Sequence, residues 1–173
     1  MIEMIEILRK RRSIRKYKDE DIEPEIVELL KEAALRSPTS RNFRPWSFVF
    51  VEDHETLAAL SRAKPSGSSF LAGARLGVVV CADEGESDVW IEDCSIASII
   101  LQLAGQSLGL GSCWIQIRRR MHDDSMTSEE YVRSVLGLPE NMRVESMIAF
   151  GYPDEEKAPV PAKELQREKI LSI

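Results

Sequence analysis

With 173 residues, 43% of them apolar and 30% charged, the chain has the material of one soluble domain with a core of its own. A net charge of −6 and an isoelectric point near 5.1 argue against a nucleic-acid or anionic-membrane surface, which needs a cationic footprint. The N-terminus, Met-Ile-Glu-Met-Ile-Glu, places acids where an export signal places bases, and the most apolar stretch, 96–110, is too short for a bilayer and broken by Gln102 and Gln106. A cytosolic protein is expected.

Three cysteines, Cys81, Cys94 and Cys113, are too far apart for metal-ligand or redox spacing and read as small buried hydrophobes. His54 and His122 lie beside acids with no nucleophile-elbow context, so neither a zinc site nor a hydrolytic triad is expected.

In chain order, Ile2, Ile5, Ile7 and Leu8 give a first amphipathic helix ending at Lys10. A dense basic run follows, Arg9-Lys-Arg-Arg-Ser-Ile-Arg-Lys-Tyr17. Arg9 and Lys10 suit the helix C-terminus, but Arg11, Arg12, Ser13 and Arg15 fall beyond it. Guanidiniums around a hydroxyl form a phosphate clamp as readily as a solvated face. Pro24 opens a second helix to Arg36, with Ile26, Leu29 or Leu30, and Ala33 as its buried stripe.

The chain is organised around the stretch after it, Ser37-Pro-Thr-Ser-Arg-Asn-Phe-Arg-Pro-Trp46. Pro38 and Pro45 bar a helix, and the hydroxyls, amide and guanidiniums between them suit either a helix-stopping turn or the recognition of a flat, polar-edged ligand. A strand follows at Trp46–Val51, then a short helix over 55–62 with Asp53 as cap. The continuous apolar run 76–82 predicts a strand covered on both faces. Ser87 or Asp88 can cap a long helix to about Leu108, apolar almost all round, which must be buried in the domain or against a second subunit.

Gly109-Leu-Gly-Ser-Cys-Trp114 is not a dinucleotide fingerprint, because its glycines close a helix and enter a strand. It reads as a glycine C-cap or as a strand start whose bare backbone approaches a ligand. Arg118-Arg119-Arg120 is a solvated run or the contact of a second anionic ligand. Thr127-Ser-Glu-Glu130 is a capping box for a helix closed by Gly137, and residues 144–152 form the last strand. The tail, 153–173, is expected to lie on a partner and to end in a helical pattern over 164–171.

Four stretches in this order, Arg11–Arg15, Ser37–Trp46, Gly109–Trp114 and Gly151-Tyr-Pro153, resemble the nitroreductase family of flavin enzymes. The resemblance covers nearly the whole chain. It implies a single α+β domain over 1–173, with a mainly antiparallel central sheet flanked by helices. It also implies an intertwined homodimer with FMN at the subunit interface and NAD(P)H as electron donor. Carried over to this sequence, Arg11 and Ser13, with Arg12 beside them, would hold the FMN phosphate and ribityl end. Arg15 would reach the N1/O2 edge and support the reduced ring electrostatically. Pro38, Thr39, Ser40 and Asn42 would come from the other subunit. Ser69, Gly111 and Ser112 would lie near the ring, and Lys163 would be a second phosphate cation. Arg44 stands where the family usually has Gln, and the tail carries fewer bases than is common in the family.

The activity so implied is ping-pong reduction of a nitroaromatic, quinone or related small aromatic acceptor. No catalytic side chain is needed, because the flavin performs the transfer. A flavin-binding carrier or sensor without general turnover is the alternative, and a dimer without cofactor a third reading.

Overall fold

The computed structural model describes residues 4–173. Ile2, counted above in the first helix, lies outside the described residues. The elements are α1 (Met4–Lys10), α2 (Pro24–Leu35), β1 (Trp46–Val51), α3 (His54–Leu60), β2 (Leu76–Asp83), α4 (Trp90–Ser107), β3 (Gly111–Gln116), α5 (Ser128–Leu136) and β4 (Met142–Gly151). The strands make one sheet in the order β1-β2-β4-β3, with every neighbouring pair antiparallel. The fold is therefore α+β with helices on both faces, as expected.

Strand alternation divides the core into two layers. Leu76, Val78 and Val80 of β2 meet α2 and α4, while Val79 and Cys81 face the layer with α3 and α5. β4 breaks this alternation once. Val144 pairs with Cys81 and Met147 with Val79 on the same face, so β4 carries an extra residue, a β-bulge at Glu145.

Local chemistry sets the helix ends. Asp53 accepts from the Thr56 N–H at 2.8 Å, Thr127 and Glu130 form the capping box, and Gly137 closes α5 at φ 64°. The expected cap of α4 is corrected: the helix starts at Trp90 after Val89. Ser87 instead accepts from the Val89 N–H (3.3 Å) and donates to Asp93 (3.3 Å), holding the turn before the helix. The stripe of α2 is also shifted, with Val27, Leu30 and Ala34 buried and Leu29 exposed. The tail forms no helix over 164–171. It has two short 3₁₀ turns, Ala162–Glu164 and Arg167–Lys169, both exposed, because so short a segment has nothing in its own chain to bury an apolar face against.

α4 is buried on one face only, through Cys94, Ala97, Leu101 and Gly105. Ile96 and Ile99 on the other face are 40% and 39% exposed, and α1 buries Ile7 while Met4, Ile5 and Leu8 stay exposed. The two helices thus present an exposed apolar face.

Candidate functional site

The basic run after α1 is extended and sewn to the end of the sheet. Ser13 bridges Ser112 in the parallel sense, with the Ile14 N–H donating to the Ser112 carbonyl at 2.9 Å. Tyr17 bridges Pro153, and the Tyr17 hydroxyl donates to the Ile14 carbonyl at 2.6 Å. The contact requires a bare strand at one position. A Cβ on Gly111 would lie 2.8 Å from the Ile14 Cβ, so Gly111 lets the run lie flat. Gly109, at φ 84°, makes the turn out of α4. Each glycine thus has one role: a helix end and a close approach, the latter to the chain's own basic run.

The tail fastens the run from outside. The Asp154 N–H donates to the Lys16 carbonyl at 2.9 Å. Glu155 accepts from the Arg15 N–H at 2.5 Å, and Lys157 donates to the Ser13 carbonyl at 2.6 Å and pairs with Glu155 at 3.1 Å. Arg12 donates to the Ala158 carbonyl. The Arg15 guanidinium stands 5.6 Å above the Phe70 ring, next to Ser69. Burial pushes the Cys113 thiol up, opposed by Arg15, a hydrogen bond from Ser13, Lys157 and Arg11, which converge on this strand. Arg11, Arg12, Ser13, Arg15, Gly111 and Ser112 are therefore brought together, with Ser69 alongside.

Lys157 and Glu155 were missed in the sequence. Their signal was position, directly after Gly151-Tyr-Pro153, in a stretch read only as tail. Lys163, the tail cation expected instead, is exposed on the first 3₁₀ turn with no hydrogen bond to the run among the described residues.

The Ser37–Trp46 loop is built by local strain. Arg41, Asn42 and Arg44 take φ of 49°, 60° and 53°, a left-handed region that non-glycine residues rarely adopt. Thr39 Oγ1 accepts from the Arg44 N–H at 3.0 Å and Asn42 Oδ1 from Arg44 Nε at 2.9 Å. Arg44, the departure from the family pattern, is thus the residue around which the loop closes. The loop is anchored at its middle, where the Ser40 N–H donates at 2.9 Å to Asp93, a carboxylate buried in the first turn of α4. Pro38, Arg41 and Asn42 stay exposed.

These two halves do not meet in one chain. The loop leads into Trp46, level with Ala82, whereas the run lies at Gly111, level with Gly151. β1 and β3 are opposite edges of the sheet, about 14 Å apart at three strand spacings. Asp93 marks the start of α4 and Gly111 follows its end, so a helix of 18 residues, roughly 27 Å long, lies between them.

Comparison with known proteins agrees with this fold and order of motifs. The model of the nitroreductase family matches residues 8–66 and 62–152. A solved FMN-dependent nitroreductase from Clostridium difficile R20291 is 45% identical, with a TM-score of 0.96 over 97% of this chain and 98% of that one. A protein of Archaeoglobus fulgidus, provisionally named an NADH dehydrogenase/NAD(P)H nitroreductase, is 38% identical over 91% of this chain and 89% of its own. The NADPH:FMN oxidoreductase of Vibrio harveyi, solved with NAD+, is 25% identical with a TM-score of 0.78 over 98% of this chain and 78% of that one. The chain belongs to the nitroreductase family.

Proposed function

We propose that this chain is an FMN-dependent oxidoreductase that takes electrons from NAD(P)H and passes them to a nitroaromatic, quinone or related aromatic acceptor, the two substrates using one site in turn. The observation that supports it most is the separation of the two site halves along α4. A two-fold axis through the exposed face of α4 packs the helix against its copy in the antiparallel sense. One chain's basic run then comes beside the other chain's loop. The homodimer and the composite site are one proposal.

The residues present fit FMN. A phosphate dianion calls for guanidinium and hydroxyl donors, which Arg11, Arg12 and Ser13 offer in an otherwise acidic protein. Gly111 and Ser112 lie directly under the run, so a flat ring seated against the run would come near them. Bound FMN supplies the hydride-transfer chemistry. The chain supplies binding and orientation: Lys157 fixes Ser13 through its carbonyl, and Lys163 adds charge further along the tail. Arg15, its backbone held by Glu155, sets a positive charge at the ring edge. Ser69 lies on the same side, and Pro38, Thr39, Ser40 and Asn42 come from the second copy.

The test is the visible spectrum of the purified protein with acid release of its chromophore, then NAD(P)H oxidation with a quinone acceptor. One FMN per chain and parallel double-reciprocal lines are expected. A colourless protein that also refuses added FMN overturns the proposal, and a loaded protein without turnover makes it a carrier or sensor.

A further inference from the structure

Arg15 carries the charge assigned to the ring edge, yet its own segment fixes only its backbone. The Arg15 N–H lies on Glu155 at 2.5 Å, and the carbonyl of the next residue, Lys16, accepts from Asp154 at 2.9 Å. Its guanidinium has no hydrogen bond or ion pair among the described residues. The side chain is exposed, and a long exposed side chain spreads its charge over many rotamers. One contact selects among them, the Phe70 ring, whose centre is 5.6 Å from the guanidinium carbon.

Phe70 is itself firmly seated. It belongs to the 3₁₀ turn Ser69–Gly73. The turn is closed by the Leu71 N–H on the Ser68 carbonyl at 3.0 Å and the Ala74 N–H on the Leu71 carbonyl at 3.1 Å. Buried Ser68 donates to the Ser61 carbonyl at 2.8 Å, which ties the turn to the chain just after α3. Leu71, next to Phe70, is fully buried. Phe70 packs half-buried on the layer of α3 and α5, and so does Tyr17. Residues two apart in an extended run share a side, so Arg15 and Tyr17 approach that layer together. A guanidinium lays its flat face on an aromatic ring and keeps its edge N–H groups open.

We propose that Phe70 is a positioning residue: its ring holds the Arg15 guanidinium in place and thereby sets part of the reduction potential of bound FMN. This rests on the oxidoreductase reading for the flavin, but not for the stack. Hydride from NAD(P)H carries two electrons and one proton, leaving the nicotinamide oxidised and one negative charge on the ring. A cation stabilises that charge only while it stays close, because the attraction falls with distance and exposed charges are screened.

The stack is tested in flavin-free protein by NMR of the arginine Nε–H groups, with Arg15→Lys identifying the Arg15 signal. A ring-current shift is expected in the parent and in Phe70→Tyr, and its loss in Phe70→Leu. The potential of the FMN-loaded variants is then measured against a reference dye. Phe70→Leu should weaken the preference for reduced over oxidised FMN at least threefold, about 14 mV for a two-electron couple, and Phe70→Tyr should match the parent. In an Arg15→Gln background, Phe70→Leu should change the potential no further.

A parent Arg15 signal without a ring-current shift overturns the stack. A potential unmoved by Phe70→Leu, or moved equally in the Arg15→Gln background, overturns the positioning role while the oxidoreductase reading stands. A protein that binds no FMN defeats the oxidoreductase reading, and the role of Phe70 with it.

Discussion

The two halves of the candidate site are held in opposite ways. The run from Arg11 to Tyr17 has little structure of its own and is fixed by pairing with β3 on one side and the tail on the other. The Ser37–Trp46 loop is fixed by its own geometry, three left-handed residues closed by Thr39 and Asn42 on Arg44, with one anchor in the core at Asp93. A run whose backbone amides and carbonyls bond to neighbouring segments can adapt its side chains to an anion while its backbone stays flat. A strained loop standing out from its own chain is preformed for a surface it does not itself supply.

The largest expected effect comes from separating the halves. Ile99 is half-exposed on the outer face of α4, and Ile99→Glu places an unpaired charge in the proposed interface at about 3–5 kcal/mol per chain. Sedimentation should give a monomer, and that monomer should emerge without FMN although neither half is altered. A monomer that keeps its flavin would mean that the run suffices alone and that the loop belongs to some other site.

Within the run, Gly111→Ala pushes a Cβ to 2.8 Å from Ile14. Overpacking of this kind costs about 1–3 kcal/mol, or roughly 2–4 °C of Tm per kcal/mol at this chain length. The run should lift, so weakened FMN binding is expected to accompany the lower Tm. A fall in Tm with unchanged affinity would show that the run holds its ligand without lying on β3.

The contrast also explains what was legible in sequence. The elements were, because strand alternation, the capping box and Gly137 are local signals. The motifs were too, since Arg11–Arg15, Ser37–Trp46 and Gly109–Trp114 are contiguous. What binds them together was not. Asp93 looked like one more acid opening a helix, and only the fold shows its carboxylate under Ser40. Lys157 sits 144 residues from Ser13, and the tail cation that the family resemblance implied was Lys163 instead. The sequence shows α4 as apolar almost all round, but which residues face outward, Ile96 and Ile99, follows only from the packing of the sheet.

The loop has a gentler test. Asp93→Asn keeps an acceptor for the Ser40 N–H but removes the charge that strengthens the bond, at a cost of about 1 kcal/mol. A Tm lowered by roughly 2–4 °C and a modestly higher Kd for FMN are expected. If the loop's own closure is enough, Tm will fall while the Kd stays put, which would sharpen the distinction between the self-supporting half and the sewn one.

The smallest effect concerns pH and separates stability from both halves. Glu145, on the bulge of β4, is 3% exposed, and its Oε2 has no hydrogen-bond partner. Burial pushes its carboxyl above the ordinary value of 4.5, against the downward pull of hydrogen bonds from Ser146 and Ser95 and of the Arg118 charge. The folded chain therefore keeps this proton to higher pH than the unfolded chain does. Where the folded state binds more protons, stability falls as pH rises. The loss begins near 4.5 and levels off above the raised folded value, while below 4.5 both states are protonated. Glu145→Gln cannot ionise, so its Tm should run parallel to the parent's in acid and rise above it by a few degrees at most on the alkaline side. Thermal melts from acid to neutral pH read this directly. Parallel curves throughout would mean that the bulge lets water reach the carboxylate, and a pH-dependent change in FMN affinity would tie Glu145 to the loop end of the site.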